Sequence, residues 1–211
     1  GMADNAESFI DDLISTGVDF EISVVTTDSP IPVSDSITPD TADAAKEFSD
    51  AVSLGNSGHA TEMGQEMAKQ ALDPIRGMVQ PREDAALSVV VVSDEDDFSP
   101  LTELEYYDFF LSIKEEELFF FHSVVSLGSG CGTAAGNRYV DQSLLTGGMY
   151  LDICGPWGDN LNTIANSNYI IATEYPLSKE ADPGSVEVFV DGVPLKSGWH
   201  YNISSNSVIL D

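Results

Sequence analysis

The sequence predicts an α/β protein: a mostly parallel sheet with helices on both faces, then a small antiparallel β module. Three observations predict it. Residues 87–93 (LSVVVVS) and 118–126 are continuous β-branched or aromatic runs, the pattern of strands covered on both faces. Strand and helix patterns alternate up to residue 165, as in open parallel sheets. After Asn166 short strand patterns are split by Pro183-Gly184, Asp191-Gly192 and Ser204-Ser205-Asn206, and Asp-Gly is a strong hairpin signal. Residues 1–168 are therefore assigned to the α/β domain and 169–211 to a β appendage.

Each element has a local reason. Phe9, Leu13 and Ile14 mark a helix over 6–16, which Gly17 ends. Phe20, Ile22 and Val24 alternate, which predicts a strand over 19–28. Pro30, Pro32 and Pro39 make 29–40 a loop. A helix is expected over 41–53, with Thr41 as candidate N-cap and Ala44, Ala45, Phe48 and Val52 inward. Another is expected over 61–72, with Met63, Met67, Ala68 and Ala71 inward. Ser99-Pro100 open a helix to Lys114, because proline suits a first turn. A helix over 137–145, a strand over 147–153 and a helix over 157–165 follow. The tail carries strands at 169–173, 186–190, 199–203 and 207–210.

Composition excludes several functions. The chain has 36 Asp+Glu against 8 Lys+Arg, a formal charge of −28. Nucleic-acid binders need Lys and Arg to displace counterions, so that class is excluded. Anionic membranes are disfavoured for the same reason. The acid is spread out: residues 1–97 hold 21 acids and 4 bases, residues 98–211 hold 15 and 4. A hydrophobic fraction of 42% fits a folded domain. No apolar run approaches the ~20 residues of a membrane span, and no signal-peptide pattern is read at the start.

Five segments in order carry a resemblance: GVDFEISVVTTD, GHATEMGQEMAKQAL, LSVVVVSDEDDFSP, NRYVDQSLLTGGMYLDIC and SVEVFVDGVPLKSGWHYNISSNSVIL. Together they resemble the von Willebrand factor A-like domains of bacterial exported proteins and lipoproteins. The resemblance implies a Rossmann-like sheet with a metal-ion-dependent adhesion site at its carboxyl edge. That site holds Mg²⁺, or Mn²⁺ or Ca²⁺, by side-chain oxygens from three loops, and a partner's carboxylate completes the shell. Thr61 matches the threonine of the second loop and Asp94 the aspartate of the third. The first loop's Asp-x-Ser-x-Ser and the strand before it have no counterpart in the chain. The implied site is therefore incomplete, with weak or absent cation binding. The implied location is the periplasm, the outer membrane as a lipoprotein, or the cell surface.

Two readings of the acidic run Asp94–Glu95–Asp96–Asp97 stand. Ligands bind at the carboxyl ends of strands in open α/β sheets, and hard cations want several oxygens. Alternatively the run is a solvated turn that caps the next helix. Asp28, Glu62, Asp96 and Asp97 are the nearby candidates beside Asp94 and Thr61; Thr61 also reads as a helix N-cap. His59, His122 and His200 form no ligand pair, and His122 lies in an apolar strand, so zinc chemistry has no basis. No nucleophile elbow or dinucleotide loop is present, and no constellation points to an enzyme. Trp157, Trp199, Tyr201 and the Phe119–Phe121 run are assigned to the core.

The expected function is a non-enzymatic binding or adhesion-type module whose partner is a protein ligand with an acidic group. The alternative is a degenerate structural or assembly module without metal. In that case a slot between strands 20–27 and 87–93 is closed by direct pairing, or by a strand donated from a neighbour, which would make a homo-oligomer.

In the family pattern Cys131 and Cys154 look like a disulfide; the other reading is two buried thiols. The bridge would close about 24 residues and stabilise by ~3 kcal/mol in the chain-entropy model. Intact mass after alkylation without reductant is expected to show no modified cysteine. Two alkylated cysteines in the native protein would rule the bridge out.

Overall fold

The computed structural model describes residues 2–55, 61–128, 130, 134–155, 163–164, 174–190 and 192–210. The chain divides into two compact units, Gly1–Ala165 and Asn166–Asp211. No helix among the described residues is long and apolar enough to cross a membrane.

The first unit opens with a helical pair. In α1 (Met2–Thr16) the buried stripe is Ala6, Ile10 and Leu13, at i, i+4 and i+7. Ile14, expected inward, is exposed. The larger residues alone mislead there, because Ala6 supplies the first contact of the stripe. Gly17, at φ +74°, ends the helix and donates its N–H to Ile14 O at 3.1 Å. α2 (Ala44–Val52) answers with Ala44, Phe48 and Ala51, and the Phe9 and Phe48 rings lie 5.8 Å apart. Phe20 and Ile37 complete this cluster.

The strand expected over 19–28 does not form. Ile22 and Ile37 exchange both backbone hydrogen bonds at 2.8 Å, but the pairing is an isolated bridge. The chain turns back at Thr26–Ser29, where Thr26 Oγ1 accepts the N–H groups of Asp28 and Ser29. The returning segment carries Pro30, Pro32 and Pro39, which lack the N–H a ladder needs. The slot expected between 20–27 and 87–93 therefore has no strand on its first side.

The parallel sheet has three strands among the described residues, in the order β1 (Leu87–Ser93), β2 (Phe119–Val125), β3 (Tyr150–Asp152). The register runs from Leu87↔Phe119 to Ser93↔Val125, then from Ser123↔Tyr150 to Val125↔Asp152. On one face Val91, Phe119, Phe121 and Val125 pack against α3 (Gly64–Leu72), α4 (Glu103–Leu111) and α5 (Asn137–Leu145). Phe110 stacks on Phe119 with centroids 4.8 Å apart. On the other face Val124 meets Ile164, with Phe9 of α1 beside them. β2 is thus the central strand, covered on both sides, as its apolar run requires. His122 is buried within it and accepts the N–H of Met149 through Nδ1 at 3.0 Å.

Helix starts differ from expectation for definite reasons. Thr41 does not cap α2; its hydroxyl accepts the Thr38 N–H inside a turn, and Asp43 at φ 55° precedes the helix. α3 begins at Gly64 rather than Thr61, because its free N–H groups are met from another loop. α4 begins after Ser99-Pro100. Thr102 and Glu105 form a capping box there, which is the stronger local signal. Lys114 is buried and donates to the carbonyls of Arg82 (2.6 Å) and Glu83 (2.8 Å), tying the entry of β1 to the exit of α4.

The second unit pairs β4 (Glu174–Pro176), β8 (Ser207–Leu210) and β7 (Trp199–Asn202) antiparallel, in that order. A separate hairpin joins β5 (Phe189–Val190) to β6 (Val193–Pro194). The strand expected over 186–190 is thus reduced to two residues. Trp199 and Tyr201 are half-buried; Trp199 Nε1 donates to Leu195 O at 2.8 Å. The strand expected at 169–173, Trp157, and most of the helix expected at 157–165 lie outside the described residues.

Gly148 shows how tightly the sheet is packed. A Cβ there would stand 1.9 Å from the Phe121 carbonyl oxygen. Gly148→Ala is expected to destabilise by ~3 kcal/mol in urea unfolding, as overpacking against backbone does. Gly184→Ala, where a Cβ meets nothing closer than 3.9 Å, should stay within ~0.5 kcal/mol.

Candidate functional site

Three segments are stitched together at the carboxyl end of β1. The N–H of Met63 donates to Thr27 O (3.1 Å) and the N–H of Phe98 to Glu62 O (2.8 Å). Ser93, the buried last residue of β1, donates its hydroxyl to Glu62 Oε2 at 2.5 Å and accepts the Glu95 N–H at 3.1 Å. The segments around residues 28, 62 and 95 therefore share one edge of the sheet.

The acids there feel one another. Burial pushes the Glu62 carboxyl above its ordinary value, against the Ser93 hydrogen bond, and the charges of Asp94, Glu95 and Asp28 push the same way. Asp94 and Thr61 are exposed; Asp28 and Glu62 are half-buried. This edge is an electrostatic neighbourhood of four carboxyl groups. Among the described residues no three Asp, Glu, His or Cys side chains converge closely enough to hold a metal ion.

Asp96 and Asp97 turn inward. Asp96 Oδ1 accepts the N–H of Asp97 (2.9 Å) and of Arg138 (3.0 Å), so it serves the first turn of α5. Asp97 is fully buried. Its Oδ1 accepts from Ser99 Oγ (2.8 Å) and the Gln65 N–H (3.4 Å), and its Oδ2 from Gln65 Nε2 (3.0 Å). The Arg138 guanidinium stands 3.4 Å away. Burial pushes the Asp97 carboxyl up, and these donors oppose it. Tyr139 OH accepts the Gly64 N–H at 3.1 Å; burial and the charge of Asp97 push its own ionisation far above the tyrosine range.

Arg138 is the keystone of the loop between β1 and α4. It donates to Glu103 Oε1 (2.5 Å) and to the carbonyls of Asp97 (3.0 Å), Ser99 (2.6 Å) and Leu101. Partial burial pulls the Glu103 carboxyl up, but the bond and charge of Arg138 outweigh it and hold the group below its ordinary value. The sequence reading missed Arg138, Gln65 and Ser99. One signal was available for the first: Lys114 is the only other base between residues 83 and 150, in a segment dense with acid.

Other sequence candidates are placed as follows. Cys131 and His59 lie outside the described residues. Cys154 follows β3, with its N–H on Asp152 Oδ1 at 3.0 Å. His200 lies on β7, in the second unit. Comparison with protein families, with curated proteins and with solved structures finds no match to the chain.

Removing Arg138 leaves Asp97 buried with neutral donors alone. Arg138→Met is expected to cost about 3 kcal/mol at pH 7 in urea unfolding, as for a broken buried pair. The cost should shrink on acidification. Asp97, with a folded value above its ordinary 3.8, then takes a proton in the folded state before it would in the unfolded chain. A cost independent of pH would show that the carbonyl contacts of Arg138 carry the whole effect.

Proposed function

We propose that the chain is a non-enzymatic binding module of an exported protein, akin to von Willebrand factor A-like domains. Its recognition edge is the carboxyl end of the parallel sheet. The observation that carries this reading is the gathering of Glu62, Asp94, Glu95 and Asp28 at that edge, where burial raises the Glu62 carboxyl and the neighbouring charges add to it. Acid concentrated at strand ends attracts a hard divalent cation, which takes oxygen ligands. Asp94 and Thr61, both exposed, would offer oxygens to Mg²⁺, Ca²⁺ or Mn²⁺, with Glu62 and Asp28 beside them. An open position on the ion would take a carboxylate of a protein ligand. Asp96 and Asp97 serve the fold of the loop instead, because their oxygens are occupied by α3, α5 and Ser99.

These side chains supply a partial shell, so affinity should be weak. A cation favours the charged form of Glu62 that burial disfavours, so uptake should strengthen as pH rises. Periplasmic, lipoprotein or cell-surface placement belongs to the same proposal, as does the Cys131–Cys154 bridge.

A second reading is favoured by the edge position of β1. Its LSVVVVS run suits an interior strand, yet among the described residues only β2 pairs with it, and Val90 is 40% exposed. In that reading the fold is an assembly module without metal, and a donated strand covers β1.

One experiment separates the two. About 10 mM MgCl₂, MnCl₂ or CaCl₂ is expected to raise the unfolding midpoint by ~3 °C beyond NaCl of equal ionic strength, as a dissociation constant of about 1 mM would. Asp94→Asn should abolish the cation-specific rise. A native chain indifferent to all three cations would defeat the first reading and leave the second.

A further inference from the structure

Residues 97–99 invert the usual order of inside and outside. Asp97 is 4% and Ser99 5% exposed, yet Phe98 between them is 54% exposed. Aromatic side chains carry the largest apolar area and dominate contact energies, so a ring left in solvent is a candidate anchor. The backbone that carries this ring is fixed on both sides. The Phe98 N–H donates to Glu62 O at 2.8 Å, and Arg138 Nη1 donates to the carbonyls of Asp97 (3.0 Å) and Ser99 (2.6 Å). Ser99 Oγ in turn donates to Asp97 Oδ1 and accepts the Glu66 N–H. The ring therefore stands on a platform set before any partner arrives, which lowers the ordering cost of a contact. Its surroundings are acidic. The bond to Glu62 joins it to the edge where the charges of Asp94, Glu95 and Asp28 act together. The one base beside it, Arg138, is paired with Asp97 and Glu103.

We propose that Phe98 anchors a docking site for an arginine side chain on a basic segment of a partner protein. Ring and carboxyl groups together select that occupant. A guanidinium stacks on an aromatic face while its N–H groups donate to carboxylates, so one arginine uses both features. A lysine ammonium is a more strongly hydrated point charge and fits the pair less well. A purely apolar partner would take the carboxyl groups out of water without giving them donors. A second copy is the wrong occupant, because a chain with 36 acids and 8 bases repels itself. The same charge steers a basic partner towards the edge. The inference rests on the acidic edge of the proposed recognition site but not on its cation.

Fluorescence anisotropy of a labelled Gly-Arg-Gly-Arg-Gly peptide titrated with the intact chain tests it. The buffer holds about 0.15 M NaCl, to screen diffuse attraction, and EDTA, so that no divalent cation takes part. Binding is expected with a dissociation constant of about 0.1–1 mM. Phe98→Ser leaves every charge in place and should raise that constant about fivefold, the size of an exposed cation–π contact. Its unfolding midpoint should stay within about 2 °C of the native one, as at other exposed positions. Phe189→Ser removes a ring that is 57% exposed in the second unit and should leave the affinity unchanged. A peptide with citrulline in place of arginine, equal in shape but neutral, should not bind. Failure of the native chain to bind the arginine peptide would overturn the proposal. Equal affinity for native and Phe98→Ser protein would do the same, since diffuse charge would then suffice, and so would equal binding of the citrulline peptide. Arginine binding that needs Phe98, in a chain whose unfolding midpoint ignores divalent cations, would uphold this inference while the cation reading falls.

Discussion

Positive charge is scarce in this molecule, and the first unit uses each of its six bases to hold something in place. Arg138 gathers the loop between β1 and α4 around one guanidinium. Lys114 holds the carbonyls ahead of β1. Arg82 reaches Asp19 at 2.5 Å, Arg76 stands 3.8 Å from Asp73, and Lys46 pairs with Asp50 one turn along α2. Lys69 lies over the Phe109 ring, 5.3 Å from its centroid. The exposed ion pairs add little stability individually. Arg138 and Lys114 matter more, because their bonds to backbone carbonyls are shielded from solvent, and buried carbonyls need donors wherever the chain leaves regular structure.

The carboxyl edge of the sheet follows from the same constraint. Arg138 is committed to Asp97 and Glu103, while the charges of Asp94 and Glu95 act on Glu62. Neighbouring acids along the sequence thus diverge in role. Asp96 and Asp97 accept from donors on α3 and α5, while Asp94 is exposed and, with Glu95, its charge pushes on Glu62. Loop folding and surface potential are two results of where one arginine points.

The legible parts of the fold were those whose causes are local. The run at 87–93 and the helix at 137–145 carry their own periodicity, and both stand where the pattern puts them. The start of α3 was not legible, since the groups that satisfy its N–H donors come from Asp97 and Ser99, more than 30 residues away. The segment 19–28 reads as a strand by alternation, yet its partner is a proline-interrupted return that supports only isolated bridges, Ile22 to Ile37 and Thr26 to Ser29. At the candidate site the acidic edge was visible from Asp94 at the end of a buried strand. That Asp97 faces the interior depends on Arg138, 41 positions later, and no local pattern announces that.

In the parallel sheet, strand order in space follows strand order in the chain. β1 meets β2 across 32 residues and β2 meets β3 across 27, each crossover carrying one α-helix. Each pairing described in that sheet therefore closes a loop of moderate and similar length. Loop-closure entropy rises only slowly with such lengths, so the sheet can grow by accretion onto β1 as the polypeptide emerges during synthesis. Until β2 arrives, a valine-rich template with a bare edge is on display, the kind of intermediate that chaperones recognise.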